Sequence, residues 1–172
     1  MVKSRALHSN RGFTLLEILI VMSILAVLTG MVSPVFRDSL GHMRAENAVR
    51  DLQAACVYAQ SRAITDSSEV RLNIHHASGT FWLSRAFLND AGEVEFIPLS
   101  EMDYPELTLP ENVSLSKPTA RYDRKQKTHY IAFYPEGICE PAKLTLKLVD
   151  EPRQKYWIEM SGTRITLERS KT

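Results

Sequence analysis

The chain is poor in the residues that build metal centres, disulfide frameworks and catalytic sites. It has two cysteines, Cys56 and Cys139, and their separation does not match the spacing of a zinc site. His75 and His76 are consecutive residues of a predicted strand, where they face opposite sides, and His129 stands alone. The sequence contains no glycine-rich phosphate loop and no HExxH or GxSxG motif. We therefore expect no enzyme activity, no metal site and no cofactor.

The chain also carries little net charge and has no internal repeat. Its 21 Lys and Arg residues balance 20 Asp and Glu residues, which gives a formal net charge of +1. Binding driven by nucleic-acid phosphates needs concentrated positive charge, so this composition does not indicate a nucleic-acid-binding protein. The length of 172 residues allows one globular domain of about a hundred residues or more behind an N-terminal segment.

Charged residues are absent from Ile18 to Phe36, a run long enough to span a bilayer as a helix. The leader before it, residues 1–12, has no acidic residue, and its basic residues are Lys3, Arg5 and Arg11. A cleaved secretory signal and a plain signal anchor share this basic-then-apolar order, although the sites for signal cleavage after the run are poor. Neither alternative explains Glu17, because a carboxylate in hydrocarbon is costly unless it is paired.

The stretch from Arg11 to Glu17, RGFTLLE, resembles the N-terminal signature of type IV prepilins and type II secretion pseudopilins. The resemblance implies that prepilin peptidase cuts between Gly12 and Phe13 and then methylates the new amine of Phe13. Glu17 lies about one helical turn from that amine, and the resemblance implies a role for it in assembly and methylation recognition. A buried charge is tolerated when it is paired, so we expect Glu17 to meet the Phe13 amine of a neighbouring subunit.

The basic leader predicts the orientation of the chain in a membrane. Under the positive-inside rule the leader stays cytoplasmic, which predicts a single-pass inner-membrane protein with its C-terminal domain in the periplasm. The resemblance implies later transfer into a periplasmic pseudopilus or pilus. Pro34 removes one helix hydrogen bond inside the apolar run, and Gly30 is nearby. Two interpretations stay open, a segment that loosens during assembly and a gentle bend of a membrane helix.

Beyond Arg37 the helical pattern becomes amphipathic. Apolar residues recur at steps of three and four, which places them on one helix face: Val49, Leu52, Cys56, Ala59 and Ala63. Arg44, Arg50 and Arg62 fit the solvent side. We expect a continuous helix from Phe13 to about Ile64, which is about 75–80 Å at 1.5 Å per residue.

The second half of the chain predicts strands with one buried face. Apolar and polar residues alternate in several runs, namely 70–75, 80–88, 93–97, 143–148, 156–160 and 163–168. Ser161-Gly162 between the last two runs is a hairpin signal. A long helix followed by consecutive strands predicts an α+β protein of the type IV pilin-like class, with the helix packed on a mostly antiparallel sheet. The predicted segments are a leader (1–12), a transmembrane or filament-core helix (13–36), an amphipathic helix (37–66) and a β-rich periplasmic domain (67–172).

Four segments of the chain are similar to the GspH/FimT group of minor pseudopilins and pilins: Ala59–Ile64, Glu69–Leu72, Phe133–Gly137 and Ser161–Ile165. The resemblance implies a minor pseudopilin that supports protein export by type II secretion, or alternatively a FimT-type minor type IV pilin of pilus assembly or DNA uptake. The partners it implies are other pseudopilins or pilins, prepilin peptidase/N-methyltransferase, an inner-membrane assembly platform, and lipid before assembly. Tyr134–Gly137 also has the composition of a simple turn.

Nucleic acid is not an expected partner, because the C-terminal basic residues are offset by acids. Arg164, Arg169 and Lys171 are accompanied by Glu159 and Glu168. The Gly-Arg-x-Arg pattern of DNA-binding relatives is replaced by Gly162-Thr163-Arg164-Ile165.

Two further features leave alternatives open. Residues 90–111 are acidic and residues 117–127 are basic, so the two segments either form contacts between neighbouring subunits or are solvated loop faces. A periplasmic domain permits a disulfide between Cys56 and Cys139. Cys56 lies on the apolar helix face, and free or buried thiols are the favoured interpretation.

Overall fold

The computed structural model of the protein describes residues 13–99, 103–149 and 153–170, without the side chains of residues 31–40. One helix, α1, spans Leu15–Thr65 and is followed by ten strands. These are β1 Val70–His75, β2 Thr80–Leu88, β3 Val94–Pro98, β4 Leu107–Thr108, β5 Val113–Leu115, β6 Arg121–Asp123, β7 Thr128–Phe133, β8 Cys139–Leu148, β9 Lys155–Gly162 and β10 Arg164–Arg169. The chain divides into two compact units, Met1–Leu40 and Gly41–Thr172.

All strand pairings among the described residues are antiparallel, which confirms the predicted α+β class. The sheet order is β10-β9-β8-β7-β1-β2-β3, and the short strands β4, β5 and β6 pair with β2, β8 and β7. β7 and β8 pair at Phe133 and Cys139. β6 pairs with the first half of β7, and β5 pairs with the last residues of β8.

The core lies between the second half of α1 and one face of the sheet. The predicted helix stripe is confirmed, because each of its members is at most 1% exposed: Val49, Leu52, Cys56, Ala59 and Ala63. Alternate residues of β1, β2 and β8 supply the other side of the core, and they include Leu72, Phe81 and Leu144. Arg44 and Arg50 are exposed as expected, whereas Arg62 is half-buried and pairs with Asp66 at 3.0 Å.

The main omission of the sequence prediction is β7, a strand beside β1 near the centre of the sheet. Its last three residues, Ile131, Ala132 and Phe133, are all buried. Burial on both faces removes the apolar–polar alternation by which a half-exposed strand is recognised. β4 and β5 also lie in a stretch that reads as irregular, because strands of two and three residues are too short to show a period.

Candidate assembly surface

The start of α1 is shaped by a capping interaction. The Thr14 hydroxyl oxygen accepts a hydrogen bond from the backbone nitrogen of Glu17 at 3.2 Å, and the Thr14 carbonyl accepts from the same nitrogen at 3.1 Å. A threonine followed three residues later by a glutamate is the capping-box pattern. A carboxylate in the first turn also complements the helix dipole. Both observed bonds use the backbone nitrogen of Glu17 and leave its carboxylate out of the cap. The Thr14-x-x-Glu17 spacing indicates this helix start, and the sequence interpretation missed it.

The structure describes one of the two residues of the predicted cleavage site. Gly12 lies outside the described residues. Phe13 precedes the first turn of α1 and is 75% exposed. Phe13 therefore lies beside the capped turn that carries Glu17.

The large apolar side chains of α1 from Leu15 to Leu28 are exposed on every side of the helix. Their exposed fractions run from 46% for Val21 to 83% for Leu15. A helix that is apolar all round belongs in apolar surroundings, and extended exposed apolar surface marks a site of interaction. Among the described residues, no helix combines the length and apolar composition required of a membrane-crossing helix.

The polar side chains within this apolar segment bond back to their own helix. The Ser23 hydroxyl donates to the carbonyl of Leu19 at 2.8 Å, and the Thr29 hydroxyl donates to that of Leu25 at 2.7 Å. Such bonds satisfy hydroxyl protons without water. Glu17 is the one charged side chain from residue 13 to residue 30, and a carboxylate in apolar surroundings is costly unless it is paired.

Three of the four segments that resemble the GspH/FimT group meet around Gln60 of α1. The Gln60 amide donates to the carbonyl of Gly137 and, at 3.3 Å, to the carbonyl of Thr163. The first carbonyl belongs to the turn before β8, and the second belongs to the β9–β10 hairpin. One side chain therefore joins three separated parts of the fold, which gives these segments a structural role.

The turn before β8 has the conformation that its sequence predicts. Gly137 has a φ of 77°, and its nitrogen donates to the carbonyl of Tyr134 at 2.9 Å. The Tyr134 hydroxyl donates to Glu140 at 2.8 Å, and Glu140 pairs with Arg121 at 3.0 Å. Burial and then the bond to Glu140 raise the pKa of Tyr134 to about 12. The phenol therefore remains protonated at neutral pH and holds the turn against β8.

Both cysteines are buried and free in the structure. The Cys139 thiol donates to the carbonyl of Gly162 at 3.1 Å. Burial raises the pKa of Cys56 to about 12, so its thiol stays protonated and is a poor nucleophile at neutral pH. Among the described residues, no group of three His, Cys, Asp or Glu side chains is arranged to hold a metal ion.

The acidic and basic segments lie on two sides of a cleft of about 620 Å³ on the sheet face that points away from α1. The acidic side includes Glu95 of β3, and the basic side includes Arg124 and Lys125 in the turn between β6 and β7. The Arg71 guanidinium carbon lies 3.3 Å from the ring centre of Phe96 on the floor of this cleft. Among the described residues, Glu95 forms no ion pair with Arg124 or Lys125.

We expect replacement of Gly137 by alanine to destabilise the domain more than replacement of Gly92. Both glycines have positive φ, 77° and 76°, so an alanine costs about 1–2 kcal/mol at either position. A Cβ at position 137 also meets the Ile64 side chain at 3.3 Å, whereas at position 92 nothing lies within 4 Å. Urea unfolding of the full chain in detergent, followed by tryptophan fluorescence, measures the difference. Equal urea midpoints for the two variants would show that the Ile64 side chain moves aside with no loss of stability.

Gln60→Leu is expected to lower the free energy of unfolding by about 1–3 kcal/mol, because two carbonyls lose their side-chain donor. Gln53→Leu is the matched control on the same helix, with an expected change within about 0.5 kcal/mol. The same urea titration compares both variants. If the Gln60 variant is as stable as the control, the hydrogen bonds of Gln60 do not contribute to the stability of the fold.

Two family profiles match the chain. Residues 7–33 match the prokaryotic N-terminal methylation motif, and residues 48–168 match the type II transport protein GspH. No curated protein sequence matches the chain.

Solved structures show the same fold at low sequence identity. The minor pseudopilin EpsH from the type 2 secretion system of Vibrio cholerae is 14% identical with a TM-score of 0.55, over 74% of this chain and 96% of that one. Escherichia coli GspH is 15% identical with a TM-score of 0.57, over 74% and 88%. The Pseudomonas aeruginosa type IV minor pilin FimU is 15% identical with a TM-score of 0.52, over 74% and 90%. Because the second profile spans most of the sequence, the chain belongs to the GspH family of type II transport proteins.

Proposed function

We propose that the protein is a minor pseudopilin, a structural subunit of the type II secretion pseudopilus that supports protein export. The observation that carries this proposal is the combination of a GspH domain with an N-terminal helix whose large apolar side chains are exposed all round. Such a helix is suited to burial among other helices.

Assembly begins with processing of the N-terminus. Prepilin peptidase cuts between Gly12 and Phe13 and methylates the new amine, which remains cationic near neutral pH. Glu17 lies in the first turn of α1, four residues beyond Phe13. Its carboxylate pairs with the Phe13 amine of a neighbouring subunit, because an unpaired charge is costly in apolar surroundings.

This ion pair defines the axial register between subunits. Lipid chains and apolar helices are chemically alike, so hydrophobicity alone provides little drive for a helix to leave lipid for a filament. A charge pair that forms when two helices are correctly aligned supplies that preference. Before assembly the processed protein is a single-pass inner-membrane protein with its C-terminal domain in the periplasm. An inner-membrane assembly platform then transfers it into the pseudopilus beside other pseudopilins.

The alternative is a minor type IV pilin, and it is favoured by the shared fold with FimU, which is a type IV minor pilin. A role in DNA uptake has less support from the surface charges. Arg169 pairs with Glu46 at 3.0 Å, and Lys143 lies 3.6 Å from Glu159. Binding to phosphates needs clustered and available cations, and these two are neutralised by neighbours.

Deletion of the gene in its native host tests the proposal. We expect hydrolases exported by type II secretion to accumulate in the periplasm, while piliation and transformation stay normal. Complementation with the intact gene restores export. Loss of pili with normal export would assign the protein to the alternative function.

A further inference from the structure

The β2–β3 hairpin exposes apolar side chains on both of its faces. Phe87 and Leu88 are consecutive residues of β2 and therefore point to opposite faces, and they are 49% and 65% exposed. Val94 of β3 lies opposite Leu88 in the register, and Ile97 shares the face of Phe87. Val94 is 57% exposed and Ile97 is 43% exposed. A strand pair that packs on its own core needs apolar residues on one face only, so packing within the domain leaves the second face unexplained.

The end of this hairpin is held in one conformation. The Asn89 side-chain oxygen accepts hydrogen bonds from the backbone nitrogens of Ala91 and Glu93, at 3.0 and 2.9 Å. The Asn89 amide donates to Glu95 at 3.0 Å, and Gly92 supplies a φ of 76°. A preformed loop loses little conformational entropy on binding. The hairpin is therefore a rigid projection rather than a loose loop.

The outer part of the hairpin, residues 86–98, carries only negative charge, whereas Arg85 lies nearer the core and pairs with Asp66. Asp90, Glu93 and Glu95 are exposed, and residues 89–111 contain no basic side chain. Neither Asp90 nor Glu93 forms an ion pair with another described residue. A partner that covers the four apolar side chains would bring its own charges close to these carboxylates. Complementarity then requires that the partner surface be basic and partly apolar.

We propose that the β2–β3 hairpin is a docking element that inserts against a basic, partly apolar surface of a neighbouring subunit in the same filament. This inference rests on the proposed function, because it takes its partner from the filament. The apolar side chains on both faces supply the buried contact area, and Asp90 and Glu93 select a cationic partner. This contact lies in the globular domain and adds to the one made by the N-terminal helix.

Photocrosslinking of the full chain in its native host tests the docking element. The photoreactive amino acid p-benzoylphenylalanine replaces Leu88 in one strain and Val149 in another. Val149 is a matched control, since it is 57% exposed and follows β8, outside the acidic and basic segments. Light is expected to link position 88 to another subunit of the filament, at residues within a Lys- or Arg-rich stretch identified by mass spectrometry. The yield at position 149 is expected to be lower.

Charge reversal makes the test specific. Asp90→Lys combined with Glu93→Lys is expected to lower the crosslink from position 88 about tenfold. The side chains of Asp90 and Glu93 accept none of the hydrogen bonds that hold the turn, which use the Asn89 side chain, so the hairpin should keep its form. Reversal of the linked partner lysine to glutamate should restore the yield. Glu136→Lys, at another exposed acid, should leave it unchanged.

Several outcomes would overturn the inference. They are no adduct at position 88, an adduct with lipid or an exported protein, equal yields at positions 88 and 149, or a yield insensitive to charge reversal. Co-purification of the wild-type chain with the filament is measured in parallel. A chain that enters the filament without a crosslink at position 88 disproves the docking element alone. A chain that never enters the filament disproves the proposed function.

Discussion

Replacement of Glu17 by valine is expected to leave membrane insertion and leader cleavage largely intact while it lowers incorporation into the filament at least about a hundredfold. Valine is more favourable than glutamate in hydrocarbon, so the apolar segment keeps its affinity for lipid. What disappears is the partner of a neighbour's Phe13 amine. An amine buried without its partner costs about 3–5 kcal/mol, and about 1.4 kcal/mol corresponds to a factor of ten. Co-purification of the variant with its companion pseudopilins measures the loss.

Glu17→Gln is the control that separates the charge of Glu17 from the size and polarity of its side chain. Glutamine at this position preserves the capping-box pattern with Thr14, so the first turn of α1 should be unchanged. If the charge matters, the glutamine variant will fail to assemble, as the valine variant does. If it assembles like the wild type, then the charge of Glu17 is not required and the intersubunit ion pair is wrong. Reduced processing with normal insertion would instead assign Glu17 to recognition by the peptidase.

The amphipathic part of the helix and most of the strands were predictable because each has one buried face and one exposed face. The stripe from Val49 to Ala63 is buried while its neighbours Arg44 and Arg50 are exposed, and this contrast produces a period of 3.6 residues. β1 and β8 alternate for the same reason, with one face on the core. The Ser161-Gly162 hairpin follows from local turn chemistry, and Gly162 has the expected positive φ of 60°.

β7 was not predictable in this way, because its neighbours cover both faces. On the outer face, the ring centre of Tyr130 in β7 lies 4.3 Å from the Arg71 guanidinium carbon. On the core face, Ile131 is buried. Neither contact can be foreseen from local sequence, since Arg71 and Tyr130 are far apart along the chain. The convergence of Gly137 and Thr163 on Gln60 is non-local for the same reason.

The candidate assembly surface was also only partly predictable from the sequence. The apolar run and Glu17 are visible in the sequence as a contrast of one charge against many apolar residues. The apolar residues of the β2–β3 hairpin were predictable as a strand pattern, yet their exposure was not. Alternation predicts that one face is buried, and only the tertiary structure shows that Leu88 and Phe87 both lie beyond the packed core.

Replacement of Gly12 by valine is expected to abolish cleavage, whereas Gly12→Ala should be cut at a reduced rate. The physical reason is steric, because a β-branched side chain crowds the backbone on the side of the bond that the peptidase must reach. Intact-mass measurement of the membrane-extracted protein decides between the two forms. The wild-type chain should begin at Phe13 and carry the added mass of one methyl group, and the valine variant should begin at Met1.

The consequence for assembly follows from the same chemistry. Without cleavage there is no α-amine at Phe13, so Glu17 of a neighbouring subunit has no cationic partner, and the basic leader still precedes the apolar segment. The valine variant should therefore stay in the membrane and be absent from the filament, even though its Glu17 is intact. A wild-type chain that still begins at Met1 when the peptidase is present, or that begins near Ser33, would contradict processing at Gly12. An uncleaved variant that assembles at wild-type levels would instead contradict the dependence of assembly on the Phe13 amine.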